Sequence, residues 1–137
     1  DLDAVAGLDL QVERGECFGL LGVNGAGKTS TIRMIQCVSP PSSGSLRVLG
    51  RDPASDARAI KARLGVVPQE DNLDPDIRAG ENLLVYARYF GIRGREARER
   101  AAELLRFVQL ADRADAVVDE LSGGMKRRLI LARAMMS

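Results

Sequence analysis

The chain has 137 residues, 45% of them hydrophobic and 28% charged, a composition that sets one ordinary globular domain as the expectation. Twenty basic against nineteen acidic side chains leave a net charge of +1, which gives no electrostatic footprint for nucleic acid or for an acidic membrane surface. Histidine is absent, which excludes Ser-His-Asp and Cys-His triads and every His-ligated zinc site.

The acidic start, Asp1-Leu2-Asp3, is not the pattern of a signal peptide, and no stretch approaches the roughly 18 to 20 apolar residues of a membrane-spanning helix. Through the first half, short apolar runs alternate with helical patterns, as in a parallel α/β sheet. Leu8, Leu10 and Val12 alternate with polar residues as a half-buried strand, and Glu13-Arg14-Gly15 makes a turn. Cys17 to Leu21 is a continuous apolar run expected to form a strand buried on both faces. Cys17 and Cys37 are too few for a disulfide framework and read as reduced, cytosolic thiols packed as small hydrophobes. A glycine-rich loop leads into a helix holding Ile32, Ile35 and Val38, which Pro40-Pro41 stops. Leu46 to Leu49 is a further strand closed by Gly50. Ala54 to Arg63 is a short helix, and Leu64 to Val67 is a strand ended by Pro68.

Beyond Gln69 the pattern changes. Asp71 to Asp76 is polar and turn-rich, and from Glu81 onward the periodicity is helical. Leu83, Ala87 and Phe90 share one face, and Ala97, Ala101, Leu104, Leu105 and Val108 make a second stripe at spacings of three and four. Arg95, Glu99, Arg100 and Glu103 read as a solvated mixed-charge face, and the excess of arginine over lysine, seventeen to three, is assigned to codon bias. A last helix from about Gly124 carries Leu129, Ala132 and Met136. The expected organisation is an α/β part over residues 1–70 with a helical part over 71–137.

Gly22-Val23-Asn24-Gly25-Ala26-Gly27-Lys28-Thr29 fits G-x-x-x-x-G-K-[ST], with an apolar run before it and a helix after it. Glycines let successive N–H groups curl into an anion nest, and the helix directs its positive end at the same point. Lys28 reaches the β- and γ-phosphates as a mobile charge, and the Thr29 hydroxyl can enter a Mg²⁺ shell. Leu121-Ser122-Gly123-Gly124-Met125 opens the last helix, with Ser122 as N-cap and paired glycines exposing backbone donors, a second anion site on the same physics.

This pair of motifs resembles the ATP-binding domain of ATP-binding cassette (ABC) transporters. Gly22 to Thr29 matches the Walker A loop, Leu121 to Met125 the family signature, and Gln69 the Q-loop glutamine. Phe18-Gly19-Leu20-Leu21-Gly22, the run from Val66 to Asp74, Tyr89-Phe90 and the run from Gly124 to Leu129 look like the branch that serves exporters of drugs and lipo-oligosaccharides. The resemblance implies an α/β P-loop NTPase (RecA-like) core with an attached helical subdomain, truncated before the Walker B strand. It implies that Gly22, Asn24, Gly25, Ala26, Gly27, Lys28, Thr29 and Ser30 bind the triphosphate of ATP, and that Thr29 and Gln69 hold Mg²⁺. Lys28 and Gln69 take the catalytic roles, and Ser122, Gly123 and Gly124 close on the γ-phosphate held by the opposite subunit of a head-to-tail dimer. The implied partner is a transmembrane permease at the cytoplasmic face of a bacterial membrane, docked near the Gln69 loop and a helical surface that includes Leu83, Tyr86 and Tyr89. No nucleic-acid partner is expected.

The family's hydrolytic aspartate and glutamate and its switch histidine have no counterpart in these residues, and its adenine-stacking aromatic would precede Asp1. The resemblance therefore implies a piece of a longer cassette that alone binds nucleotide weakly, hydrolyses it negligibly and exposes apolar strand edges. Two other functions stay open on the sequence: a soluble ABC ATPase acting on ribosomes or DNA, and a nucleotide-binding remnant without activity.

Overall fold

A computed structural model describes residues 4–137; the acidic start, Asp1-Leu2-Asp3, lies outside the described residues. The chain divides into two compact units, Asp1–Lys61 and Ala62–Ser137.

The first unit holds two helices, α1 (Lys28–Ile35) and α2 (Pro53–Lys61). α1 ends earlier than the position of Pro40 implies. Cys37 takes a left-handed φ of 56°, its N–H reaches the Met34 carbonyl, and the Val38 N–H reaches Arg33 at 2.9 Å. These two bonds form a Schellman stop, so Val38 lies beyond the helix and 64% exposed. α2 starts on a proline, whose fixed φ and missing N–H suit the first helical position, and the Asp52 carboxylate accepts from the Ala54 N–H at 2.8 Å. Ile60 is its fully buried residue.

The segments read as strands carry no β-ladder among the described residues. The 46–49 run forms a single antiparallel bridge, Val48 to Arg51, across a two-residue turn in which Leu49 and Gly50 both have positive φ. The run 17–21, expected to be buried on both faces, is instead largely exposed, with Leu21 93% accessible. Cys17 is exposed and Cys37 half-buried, so neither packs as a core hydrophobe. The reason is physical: a parallel strand has no hydrogen bonds of its own and is covered only when neighbouring strands and crossover helices close over it. The Glu13–Gly15 turn does form, closed by the Glu16 N–H on the Glu13 carbonyl at 3.2 Å.

The second unit is a cluster of α3 (Ala79–Tyr89), α4 (Gly94–Phe107) and α5 (Gly123–Ala134), each packed on the other two, with 3-10 turns at Ala111–Arg113 and Val118–Glu120. Both apolar stripes read from the sequence turn inward, except at Phe90, which is half-buried and outside the core. Leu83 and Ala87 from α3, Ala97, Ala101, Leu104 and Leu105 from α4, and Leu129 and Ala132 from α5 meet in one buried core, joined by Val108, Leu110 and Met136. Leu83 is fully buried there and contributes nothing to a docking surface, whereas Tyr89 is 80% exposed. The Glu81 carboxylate accepts from the Arg78 N–H at 2.9 Å and caps α3. An antiparallel bridge between Arg78 and Val117 ties the start of α3 to the chain that leads into α5.

Candidate functional site

The 22–30 loop turns sharply because two of its glycines adopt left-handed backbone, Gly25 at φ 88° and Gly27 at φ 84°. Gly27 is required twice over: a Cβ there would also lie 2.3 Å from the Ala4 carbonyl oxygen. Gly27 is the N-cap of α1 and brings no side-chain acceptor, so the first-turn N–H groups of Lys28, Thr29 and Ser30 have no cap. The Ala26 N–H closes the loop on the Val23 carbonyl at 3.2 Å.

The Lys28 ammonium sits over this loop, donating to the carbonyls of Gly22 at 2.5 Å and Val23 at 2.7 Å. Ala4, Asn24, Gly25, Gly27, Lys28, Thr29 and Ser30 line an open cleft of about 410 Å³. Its donors among the described residues are backbone N–H groups, one ammonium, two hydroxyls and the Asn24 carboxamide, and none of the described lining residues carries a carboxylate. Such a set of donors is complementary to a phosphate chain. The Thr29 hydroxyl lines the cleft, which fits a role beside a phosphate-bound cation. Among the described residues no three Cys, Asp or Glu side chains cluster to form a metal site by themselves.

Gln69 and the Ser122–Gly124 motif belong to the second unit. Ser122 is the N-cap of α5, its hydroxyl accepting from the Met125 N–H at 3.3 Å. Gly123 and Gly124 fill the first turn, both exposed, and a Cβ on either would meet nothing within 4 Å. No contact among the described residues therefore calls for glycine at these two positions. Gln69 is exposed in the loop after Pro68, and α5 holds that loop by two arginines. The Arg127 guanidinium donates to the carbonyls of Pro68 at 2.7 Å and Gln69 at 3.5 Å. The buried Arg133 guanidinium donates to the Asn72 carbonyl at 2.8 Å and to its side-chain Oδ1, and lies 4.9 Å from the centre of the Tyr86 ring. Burial holds Arg133 below the usual guanidinium pKa, with Tyr86 and Asp71 acting in the opposite direction.

Sequence reasoning missed Arg127, Arg133 and Asn82. Asn82 is buried on α3, its amide group bonded to both the N–H and the carbonyl of Asp74. A polar residue with Ala79 one turn before it and Tyr86 one turn after it was the available signal for Asn82. Arg127 falls in the Gly124 to Leu129 run that carries the resemblance, but nothing in the sequence marked its contact, or Arg133, among seventeen arginines.

A glycine-rich loop ending in Lys-Thr at an uncapped helix N-terminus defines the chain as a P-loop nucleotide-binding protein. The sequence model for the ABC transporter family matches residues 5–137, and the chain belongs to that family. It is similar to the Nod factor export ATP-binding protein I of Burkholderia thailandensis, 55% identical over 97% of this chain and 44% of that protein. The protein of the same name from Cupriavidus pinatubonensis is 50% identical over 100% of this chain and 42% of its own length. The chain thus spans less than half the length of these relatives. Among solved structures it is similar to a dimeric ATP-binding cassette in a post-hydrolysis state with ADP and Pi, at TM-score 0.78 and 27% identity over 97% of this chain and 61% of that one. The ATP-binding subunit of an ABC transporter matches at TM-score 0.69 and 27% identity, over 85% of this chain and 48% of that one. These likenesses give the fold class, an α/β P-loop NTPase core with its helical subdomain.

Proposed function

We propose that this chain is the ATP-binding part of an ABC exporter subunit, which binds Mg-ATP and, within its whole protein, hydrolyses it to drive transport. The observation that carries this reading is the Lys28-centred loop at the uncapped start of α1, in a chain 55% identical to a protein named for Nod factor export. That name favours export over action on ribosomes or DNA, and over an inactive remnant. No helix among the described residues is long and apolar enough to cross a membrane. In this reading a permease partner carries the passage through the bilayer and the chain acts at the cytoplasmic face, which the export named for the relative supports. The working division places residues 1–70 with the nucleotide and residues 71–137 with the signature motif and the partner.

Gly22 and Asn24 to Ser30 wrap the triphosphate, their N–H groups facing its oxygens, and Lys28 moves from the loop carbonyls to the β- and γ-phosphates. Mg²⁺, when bound, neutralises charge on the β- and γ-oxygens; Thr29 and Gln69 are the residues that would hold it. Gln69 orients the attacking water. Ser122, Gly123 and Gly124 offer the N–H groups of α5 to the γ-phosphate held by a second cassette. Two helix-starting glycines that no contact among the described residues requires support that role. The dimer of the solved cassette similar to this chain supports pairing of two cassettes, which in this reading are head to tail.

The test is to tag the whole protein, solubilise it from membranes and ask what it retains. Co-purification of a membrane-spanning subunit, with MgATP turnover that falls about a hundredfold in Lys28→Ala, is the predicted result. A tagged protein that brings down ribosomes and no membrane protein would refute the reading.

A further inference from the structure

We propose that Arg127 is a positioning residue that latches the Gln69 loop to the helix beginning at Ser122-Gly123-Gly124, so that displacement of that helix's start moves Gln69 of the same chain. The proposal rests on the roles given above to Gln69 and to the signature glycines.

Three observations carry it. Arg127 lies four residues beyond Gly123, so at about 1.5 Å rise per residue its anchorage is about one turn, roughly 6 Å, from the helix start. Its guanidinium spans two successive carbonyls, Pro68 at 2.7 Å and Gln69 at 3.5 Å, and Pro68, having no N–H, presents only its carbonyl to it. Arg133, farther along the same helix, holds Asn72 at the other end of the loop. One helix therefore pins both ends of a five-residue segment, Pro68 to Asn72, by two guanidinium groups of opposite character.

The two pins differ in what their removal does. Arg133 is buried, so breaking its bonds strands a desolvated charge and an unmet carbonyl; that contact is permanent in the folded chain. Arg127 is exposed, water can replace either bond, and the contact can open and close without unfolding anything. An anion drawn onto the N–H groups of Gly123 and Gly124 displaces the start of α5. The Arg127 end of the loop follows that displacement while Asn72 stays fixed, and Gln69, next to the moving end, turns with it. Both bonds come from one guanidinium nitrogen, Nη1, so a lysine at 127, a point charge with rotatable donors on a shorter stem, retains part of the contact.

The experiment measures kcat and KM for MgATP in the assembled exporter for Arg127→Ala, Arg127→Lys, Gln69→Ala and the Arg127→Ala/Gln69→Ala double variant. Loss of coupling predicts a kcat about 5- to 20-fold lower in Arg127→Ala, KM within about twofold, partial recovery in Arg127→Lys, and a further loss below about twofold on the Gln69→Ala background. Arg127→Ala turning over like the parent while Gln69→Ala is slow would overturn the latch and leave the Gln69 assignment standing. Full turnover in Gln69→Ala would instead remove the Gln69 assignment and the latch with it. Equal losses from Arg127→Ala in both backgrounds, or a rise in KM at constant kcat, would show Arg127 acting on the fold alone and would also overturn it.

Discussion

Arg133 and Asn72 meet where α5 passes the loop that follows Gln69, the guanidinium donating at 2.8 Å to a backbone carbonyl with Tyr86 beneath it. A buried guanidinium is stable only if its donors are met, and here one asparagine supplies both acceptors, backbone and side chain. Arg133→Ala leaves the Asn72 carbonyl unmet and a cavity beside Tyr86, and is predicted to lower stability by about 2–4 kcal/mol. Arg133→Lys loses the fork and the stacking but keeps one donor, and is expected to cost less. Urea denaturation followed by helical circular dichroism measures both, and a loss under about 0.5 kcal/mol in the alanine variant would contradict the account.

The signature glycines should separate stability from activity. Glycine in a helix costs roughly 0.5–1 kcal/mol relative to alanine, and at Gly123 and Gly124 a methyl group meets open space. Gly124→Ala is therefore predicted to stabilise the second unit by up to about 1 kcal/mol while lowering the exporter's ATP turnover. Ser122→Ala, which removes the cap on Met125, should cost about 1 kcal/mol. A thermal melt of each variant beside its turnover decides whether the two properties move in opposite directions.

Two other glycines should behave in the contrary way. A Cβ on Gly65 would lie 2.2 Å from the Ala134 carbonyl oxygen at the end of α5, closer than real contacts allow. Gly65→Ala must push that helix end aside and is predicted to destabilise by about 1–3 kcal/mol, the usual scale for overpacking. Gly27→Ala adds a left-handed backbone to a clash with Ala4, so nucleotide binding should fail before the helices do. Gly25→Ala, with equal φ strain but open space around it, should bind with intermediate affinity; equilibrium titration with ATP ranks the three proteins.

The two units are predicted to differ in order when residues 1–137 are made alone. Leu8, Leu10, Val12, Phe18, Leu21 and Val23 are all exposed, whereas the second unit encloses a continuous core from three helices. Amide exchange should be fast across 8–23 and slow in α3, α4 and α5, and an apolar dye should bind strongly. Uniform slow exchange through both units would contradict this.

The helical half was legible because its stripes are local: Ala97, Ala101, Leu104 and Leu105 carry their own periodicity and find their core within 76 consecutive residues. Gly25, Gly27 and Lys28 were legible for the same reason, since a nest is made by neighbours in sequence. The run from Cys17 to Leu21 was less so, because strand pairing depends on partners that periodicity cannot supply. The arginine excess was passed over as codon bias, yet Arg127, Arg128 and Arg133 all donate to backbone carbonyls at loops or helix ends. Arg100, read as part of a solvated face, likewise reaches the Met135 carbonyl at 3.2 Å. A long side chain that meets a carbonyl up to 61 residues away leaves no pattern in the sequence.

Among the described residues the cleft's lining has cationic and neutral donors and no carboxylate to polarise water. Residues 1–137 alone are accordingly predicted to turn ATP over at a negligible rate. Ordinary steady-state turnover from this chain, lost in Lys28→Ala, would contradict that.

Binding is the central claim, and calorimetric titration of the chain with ATP tests it most directly. The account predicts one ATP per chain, with affinity weakened at least about tenfold in Lys28→Ala, the effect of losing a charge-assisted contact. Undiminished binding by Lys28→Ala, or no binding by the parent chain at millimolar ATP, would contradict it.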